Sequence, residues 1–338
     1  MERIVRELEQ LKAEYERIPV NENAREVDRK EFTLLLGGIS ACRKVPGIQK
    51  HMGYEKLYHI EDKNGIVQAR EHLAGLFGVK DEKSLEEACN TLYSGGEEYE
   101  QFMTFWVGAP LFDMERLNPE GRKVFMRCRE LAENFYPLVK EKGLYAWDIN
   151  EKIGLCRSAV ACGILSEDAF WELTDDWVRQ AQGFYHSYVE YGMSCMCGAL
   201  YEMGRSDSDV KSFFEINRNI LAHLLGKEGA WNRNKWYVPQ EREWVHLLNG
   251  NPGCIITKKA LEEERVGYMY CEEPDEAFPD SGWRFFVGDE SDEYVNNAEN
   301  LTVCALNTVC NIAPDIIAYL HADIGSGFGR SESGWEAE

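Results

Sequence analysis

No run of about 18 apolar residues occurs in this 338-residue sequence, which excludes a helix that crosses a bilayer. The opening MERIVRELEQLKAEYERI is charged throughout and lacks an apolar core, so no secretory signal is expected there. The 11 cysteines are an odd number without framework spacing, which suits reduced thiols in a cytoplasmic protein better than disulfides. Positive charge is scarce: 37 Lys and Arg against 59 Asp and Glu leave a formal net charge of −22, and such a field repels nucleic acid and anionic membranes alike. A basic protein is the partner it would attract, mainly through a faster encounter. The motifs of the common hydrolytic and nucleotide-binding sites are missing too. There is no HExxH, no Walker loop, no nucleophile elbow and no HxE with PCxxC, nor any repeat at a fixed period.

What remains is a folded globular chain. Hydrophobic residues at 44% and aromatic residues at 12% exclude disorder throughout, and the length allows about two domains. Helical spacing dominates the first two thirds. Ile4, Val5, Leu8, Leu11, Tyr15 and Ile18 share one face of a helix ending at Pro19. From Tyr145, the residues Ile149, Ile153, Cys156 and Val160 predict a second helix, with Gly163 just past its end. Ser166 caps a third, whose buried stripe is Phe170, Trp171, Thr174, Trp177, Val178 and Ala181 and whose first turn carries Glu167 and Asp168. Ser187 and Glu190 form a capping box for a fourth along Val189, Met193, Met196, Leu200 and Met203, where Gly192 and Gly198 allow a neighbouring helix to come close. A fifth pattern runs from Asp207 through Val210, Phe214, Leu221 and Leu225 to Gly226. Between residues 20 and 144 the signal is weaker, with two short helices expected on either side of Gly95 and Gly96.

Acids beside aromatics, Trp147 with Asp148 and Trp171 with Glu172, suggest a carbohydrate site, but adjacency in sequence does not set the carboxylate separation that such chemistry needs. Core tryptophans and capping acids explain them more simply. Cys195 and Cys197 lie on an apolar helix with no second ligand pair nearby, so they read as buried thiols. His186, His223 and His246 are isolated.

After Pro239 the character changes. QEREWVHLLNGNPG reads as a linker; CIITKKAL, RVGYMYCE and GWRFFVG are strand-like, and PDIIAYLH reads as a short helix. Between Cys254 and Arg330 stand 15 acidic and 5 basic residues, a net of −10, with the acids gathered in loops around the Gly282–Val287 strand. Their spacing fits no EF-hand loop. IGSGFG follows a short helix and opens none, so it is not a phosphate cradle. The alternative is a recognition surface on which Tyr268, Tyr270 and Trp283 anchor a partner, with Arg284 beside them, while Glu272, Glu273, Asp275, Asp280, Asp289, Glu290 and Asp292 steer it. Trp283 and Phe285 can instead alternate into a core.

Two resemblances accompany these patterns. LYAWDINEKIGLCRSAVACGILSEDAFWELTDDW, continuing through the Phe184–Gly192 segment, resembles a bacterial helical family known as domain of unknown function 1266, with HLAGLFGVKDEKSLEEACNTLYSGG and AWNRNKWYVP similar to its two ends. That resemblance implies a fold and no activity. The motifs TKK, GYMY, EEPD, DSGWRFF, GDE, PDII and IGSGFGR resemble domain of unknown function 2185, also called immunity protein 33, with Gly329 standing where that family usually has a charged residue. This second resemblance implies a cytosolic protein that binds and neutralises a toxin delivered between competing bacteria.

The expectation is therefore a mainly α N-terminal domain plus a small α+β C-terminal domain. Its parts are a helical extension over 1–59, a helical domain over 60–238, a linker over 239–253, an immunity-like domain over 254–330 and an acidic tail over 331–338. It acts by binding a protein partner, which the second resemblance implies is a cognate toxin, and needs no metal, cofactor, nucleic acid or membrane. The rival is an enzyme or ligand site in the helical domain around Trp147, Asp148, Glu167, Trp171 and Glu190; a third reading makes the first helix a recruiting or self-associating device.

Overall fold

The computed structural model describes residues 2–338 except 18–20, 22, 44, 46, 49–53, 55, 93–115, 205–209, 240–243, 245–246, 249–251, 276–278 and 332–333. The expected helix end at Pro19, the break at Gly95 and Gly96, the start at Asp207, His246 and part of the 239–253 linker lie outside the described residues. The chain forms two compact units, one containing Met1–Tyr99 and Pro119–Arg242, the other containing Glu243–Glu338.

The first unit is helical. Its elements are α1 (Glu2–Arg17), α2 (Arg29–Leu36), α3 (Gly38–Ala41), α4 (Lys63–Phe77), α5 (Glu82–Leu92), α6 (Pro119–Val139), α7 (Tyr145–Ala161), α8 (Glu167–Phe184), α9 (Tyr188–Gly204), α10 (Val210–Leu225) and α11 (Ala230–Arg233). Helix α7 is the centre: Ala146, Trp147, Ile149, Ile153, Leu155, Cys156 and Ala159 are all buried, so both its faces meet other helices. It packs most closely on α9. Glycine makes that approach possible, because a Cβ at Gly198 would stand 2.6 Å from Cβ of Trp147. Gly192 serves the same end toward α10, where a Cβ would meet Cδ1 of Leu221 at 2.6 Å. Helix α8 begins as expected: Ser166 Oγ accepts from the Ala169 N–H at 3.2 Å, with Glu167 and Asp168 at the positive end of the helix. Its buried stripe is Phe170, Thr174, Val178, Ala181 and Phe184, while Trp171 and Trp177 are only half-buried under Lys30 and Lys152. The first 36 residues are no separate extension, since Leu8, Leu11, Phe32 and Leu35 belong to this unit's core.

The second unit is a six-stranded sheet: β1 (Gly253–Thr257), β2 (Tyr268–Cys271), β3 (Asp280–Phe286), β4 (Leu301–Ala305), β5 (Gly327–Ser331) and β6 (Gly334–Ala337), in the order β4-β1-β3-β2-β5-β6. Only β1 and β3 run parallel. Short helices α12 (Lys258–Glu262), α13 (Asp292–Val295) and α14 (Leu306–Ile312) and 3-10 turns at Ala298–Asn300 and Pro314–Tyr319 accompany it. Two expectations need correction. CIITKKAL is not one strand: Thr257 ends β1 and caps α12, its Oγ1 accepting from the Ala260 N–H at 3.1 Å. The stretch expected as an acidic tail supplies β6, because Arg330, Trp335 and Asp315 bind it back. Arg330 pairs with both Asp315 oxygens at 2.6 and 2.9 Å, and its guanidinium lies 4.5 Å over the Trp335 ring.

Candidate partner-binding face

The DSGWRFF stretch is organised by an irregularity. On β1 the step from Gly253 to Ile255 is matched on β3 by the longer step from Asp280 to Arg284, so β3 carries extra residues and bends. Gly282 takes up the bend with φ +79, and a Cβ there would lie 2.4 Å from the Glu272 carbonyl oxygen. Asp280, whose side chain is 0% exposed, closes the structure: its carboxylate accepts from the N–H groups of Asp275 (2.9 Å) and Gly282 (3.1 Å) and from Arg284 Nη1 and Nη2 at 3.0 and 2.7 Å. Arg284 also donates through Nε to Glu272 at 2.5 Å and through Nη1 to the Trp283 carbonyl at 3.0 Å. Burial pushes the Asp280 carboxyl up, but Arg284 and the two backbone donors outweigh it and leave the group below the usual carboxylate range.

Several expected contact residues are thereby withdrawn from the surface. Trp283, 2% exposed, stacks on Phe285 and Phe328 and donates Nε1–H to the Leu320 carbonyl at 3.2 Å. It is core, because Trp283 and Phe285 share the covered face of β3 with Met269 and Cys271 of β2. Asp280 and Arg284 are interior as well. Glu290 accepts from the Val287 and Gly288 N–H groups (2.8 and 2.7 Å) and from Thr257 Oγ1 (2.7 Å), so it shapes the turn after β3. Asp289 pairs with Lys259 at 2.6 Å and Arg265 at 2.8 Å.

Left open is the other sheet face. Register places Tyr268 opposite Phe286 and Tyr270 opposite Arg284, with Ile255 beside Arg284 and Val303 opposite Ile255. Tyr270 stacks on Phe286 at 5.7 Å and Tyr268 lies 5.9 Å from the same ring. These three rings are half-buried, and Val303 is 55% exposed. The three rings floor a cleft of about 400 Å³ whose walls include Glu272, Glu290, Val295 and Leu301. Glu273 and Asp275 are exposed in the loop after β2, and Asp292 is exposed in the first turn of α13. Apolar rings, one internally satisfied guanidinium and a rim of carboxylates make a surface suited to non-covalent recognition. Phe286, Ile255 and Val303 were not among the expected contacts; period-two alternation from Tyr268 and Tyr270 was the signal for them.

The rival residues in the helical unit do not share one site. Trp147 is buried and donates Nε1–H to Glu202 at 2.5 Å; Asp148 is buried; Glu190 accepts from the His186 N–H at 2.8 Å and pairs with Lys142 at 3.2 Å; Glu167 is exposed in the first turn of α8. Cys195 and Cys197 are buried, and burial pushes both thiols up. Among the described residues, no group of three or more His, Cys, Asp or Glu is arranged to hold a metal, and no helix is long and apolar enough to cross a membrane.

No curated protein and no solved structure matches the chain. Family models match two segments. Residues 72–236, within the helical unit, match "Protein of unknown function (DUF1266)". Residues 254–337, which hold almost the whole sheet with its open aromatic face, are similar to the family described as "Immunity protein Imm33 domain".

Proposed function

We propose that the chain is an immunity-type protein: it binds a basic protein toxin and blocks it without chemistry of its own. One observation carries this reading. In the segment similar to the immunity family, an aromatic strip of Tyr268, Tyr270 and Phe286 stays half-open within an acidic surround. Lysine or arginine side chains of a partner gain from both parts, over the ring faces and against the carboxylates. The exposed Glu273, Asp275 and Asp292 speed the encounter; Tyr270 and Phe286 set the lifetime of the complex. Glu272, Asp289 and Glu290 contribute to the field while their bonds within the unit hold the loops in shape.

The test is protection of growth. The chain is co-expressed with each of a panel of basic bacterial toxin domains, as wild type, as Tyr270→Ala with Phe286→Ala, and as Glu273→Lys with Asp292→Lys. Wild type is expected to restore growth. The aromatic pair is expected to abolish protection through faster dissociation, with roughly 100-fold weaker binding from two lost anchors, and the charge pair to slow association. Equal protection by all three would remove the face from the account.

A further inference from the structure

Inside the helical unit lies a pocket of about 140 Å³, bounded by α3 and the turn after it, by α4 and by α7. Ala41, Val45, Ile48, Leu73, Phe77 and Leu155 make most of it apolar. Six polar side chains interrupt that lining, Ser40, Arg43, Tyr58, His72, Glu151 and Ser158, and two of them bear on a guest. Glu151 concentrates its bonds on one oxygen: Oε1 accepts from Arg43 Nη1 at 2.6 Å, Asn150 Nδ2 at 2.8 Å and Ser40 Oγ at 3.0 Å, whereas Oε2 accepts none among the described residues. Tyr58, only 7% exposed, has its ring held 4.2 Å beneath the Arg157 guanidinium, and its hydroxyl has no hydrogen-bond partner among the described residues. Both residues line the pocket, so a guest that enters it can reach them, and a hydrogen bond made there adds to the contacts of its apolar body.

We propose that this pocket binds a small uncharged molecule with an apolar body and one hydroxyl group. The guest's hydroxyl donates to Glu151 Oε2 and accepts from the Tyr58 hydroxyl, and its body fills the space between Leu73, Phe77 and Leu155. Size and charge set the class. Apolar cavities of about 150 Å³ accommodate benzene, and Arg43 balances the Glu151 charge, so the lining favours neither an anion nor a cation. The site is independent of the sheet face and of the immunity reading.

Phenol and toluene are the probes: near-equal in size, differing in the hydroxyl. Calorimetric titration of the full chain is expected to show phenol binding about threefold to tenfold more tightly than toluene, the value of one net hydrogen bond. Tyr58→Phe, which keeps the ring under Arg157, is expected to narrow that preference and leave toluene unchanged. Ala41→Leu, which fills the pocket, is expected to weaken both at least tenfold. Phenol that does not bind, a preference untouched by Tyr58→Phe, or binding untouched by Ala41→Leu would each overturn the proposal.

Discussion

Asp280 and Asp289 show how differently two carboxylates nine positions apart are used. Asp280 is enclosed with Arg284 and two backbone donors, whereas Asp289 meets Lys259 and Arg265 in solvent. Removing one partner of an enclosed ion pair leaves the other without compensation. Asp280→Asn is therefore expected to lower the unfolding free energy by about 3 kcal/mol, read from urea denaturation followed by tryptophan fluorescence. Asp289→Asn is expected to leave the transition almost where it is, since exposed pairs add little. Sequence spacing shows an Asp, a Gly and an Arg but not the bend of β3, and without that bend the role of Asp280 as the receiver of the Asp275 and Gly282 N–H groups is invisible.

At the scale of elements, local chemistry was legible wherever a cap or a stripe stood in sequence. Ser166, the stripe residues Phe170, Thr174, Val178 and Ala181, Gly163 with its positive φ of 70 after α7, and the close-approach glycines of α9 are found where the sequence puts them, whereas Trp171 and Trp177 of the expected stripe are only half-buried. Helix α6 was not anticipated, although Phe125, Cys128, Leu131, Phe135 and Leu138 recur at helical spacing. Pro137 disguises it, because proline lacks the N–H that would continue the helical ladder and usually marks a helix boundary. Strands β4, β5 and β6 escaped the sequence reading, β5 and β6 being glycine-bearing and partly polar, and each is held by its pairing: β4 with β1, β5 with β2 and β6 with β5. Gly198→Ala is expected to push α7 and α9 apart at Trp147 and cost about 2 kcal/mol, visible as a lowered Tm of the helical unit, whereas Gly75→Ala, with nothing within 4 Å, should not lower it.

For the whole molecule, charge governs both stability and association. In the sheet unit, burial raises the Asp280 and Glu290 carboxyls, but for Asp280 the Arg284 pair and backbone donors prevail, and for Glu290 the Val287, Gly288 and Thr257 donors do, so both titrate below their ordinary values of 3.8 and 4.5. The unfolded chain then binds more protons than the folded one, so their stabilisation is present above about pH 4.5 and is lost as pH falls through the lower folded values. The sheet unit is expected to lose stability steeply below about pH 4, monitored by near-ultraviolet circular dichroism at several pH values. The net charge of −22 sets the other expectation, association with a basic partner that slows as salt screens the field. Stopped-flow or biosensor kinetics against the basic toxin domain whose toxicity the chain suppresses on co-expression, at low and moderate salt, tests the central claim most directly. The account predicts a saturable complex whose association slows with salt and whose dissociation quickens when Tyr270 and Phe286 become alanine. No complex at either salt, or one indifferent to both substitutions, would contradict it.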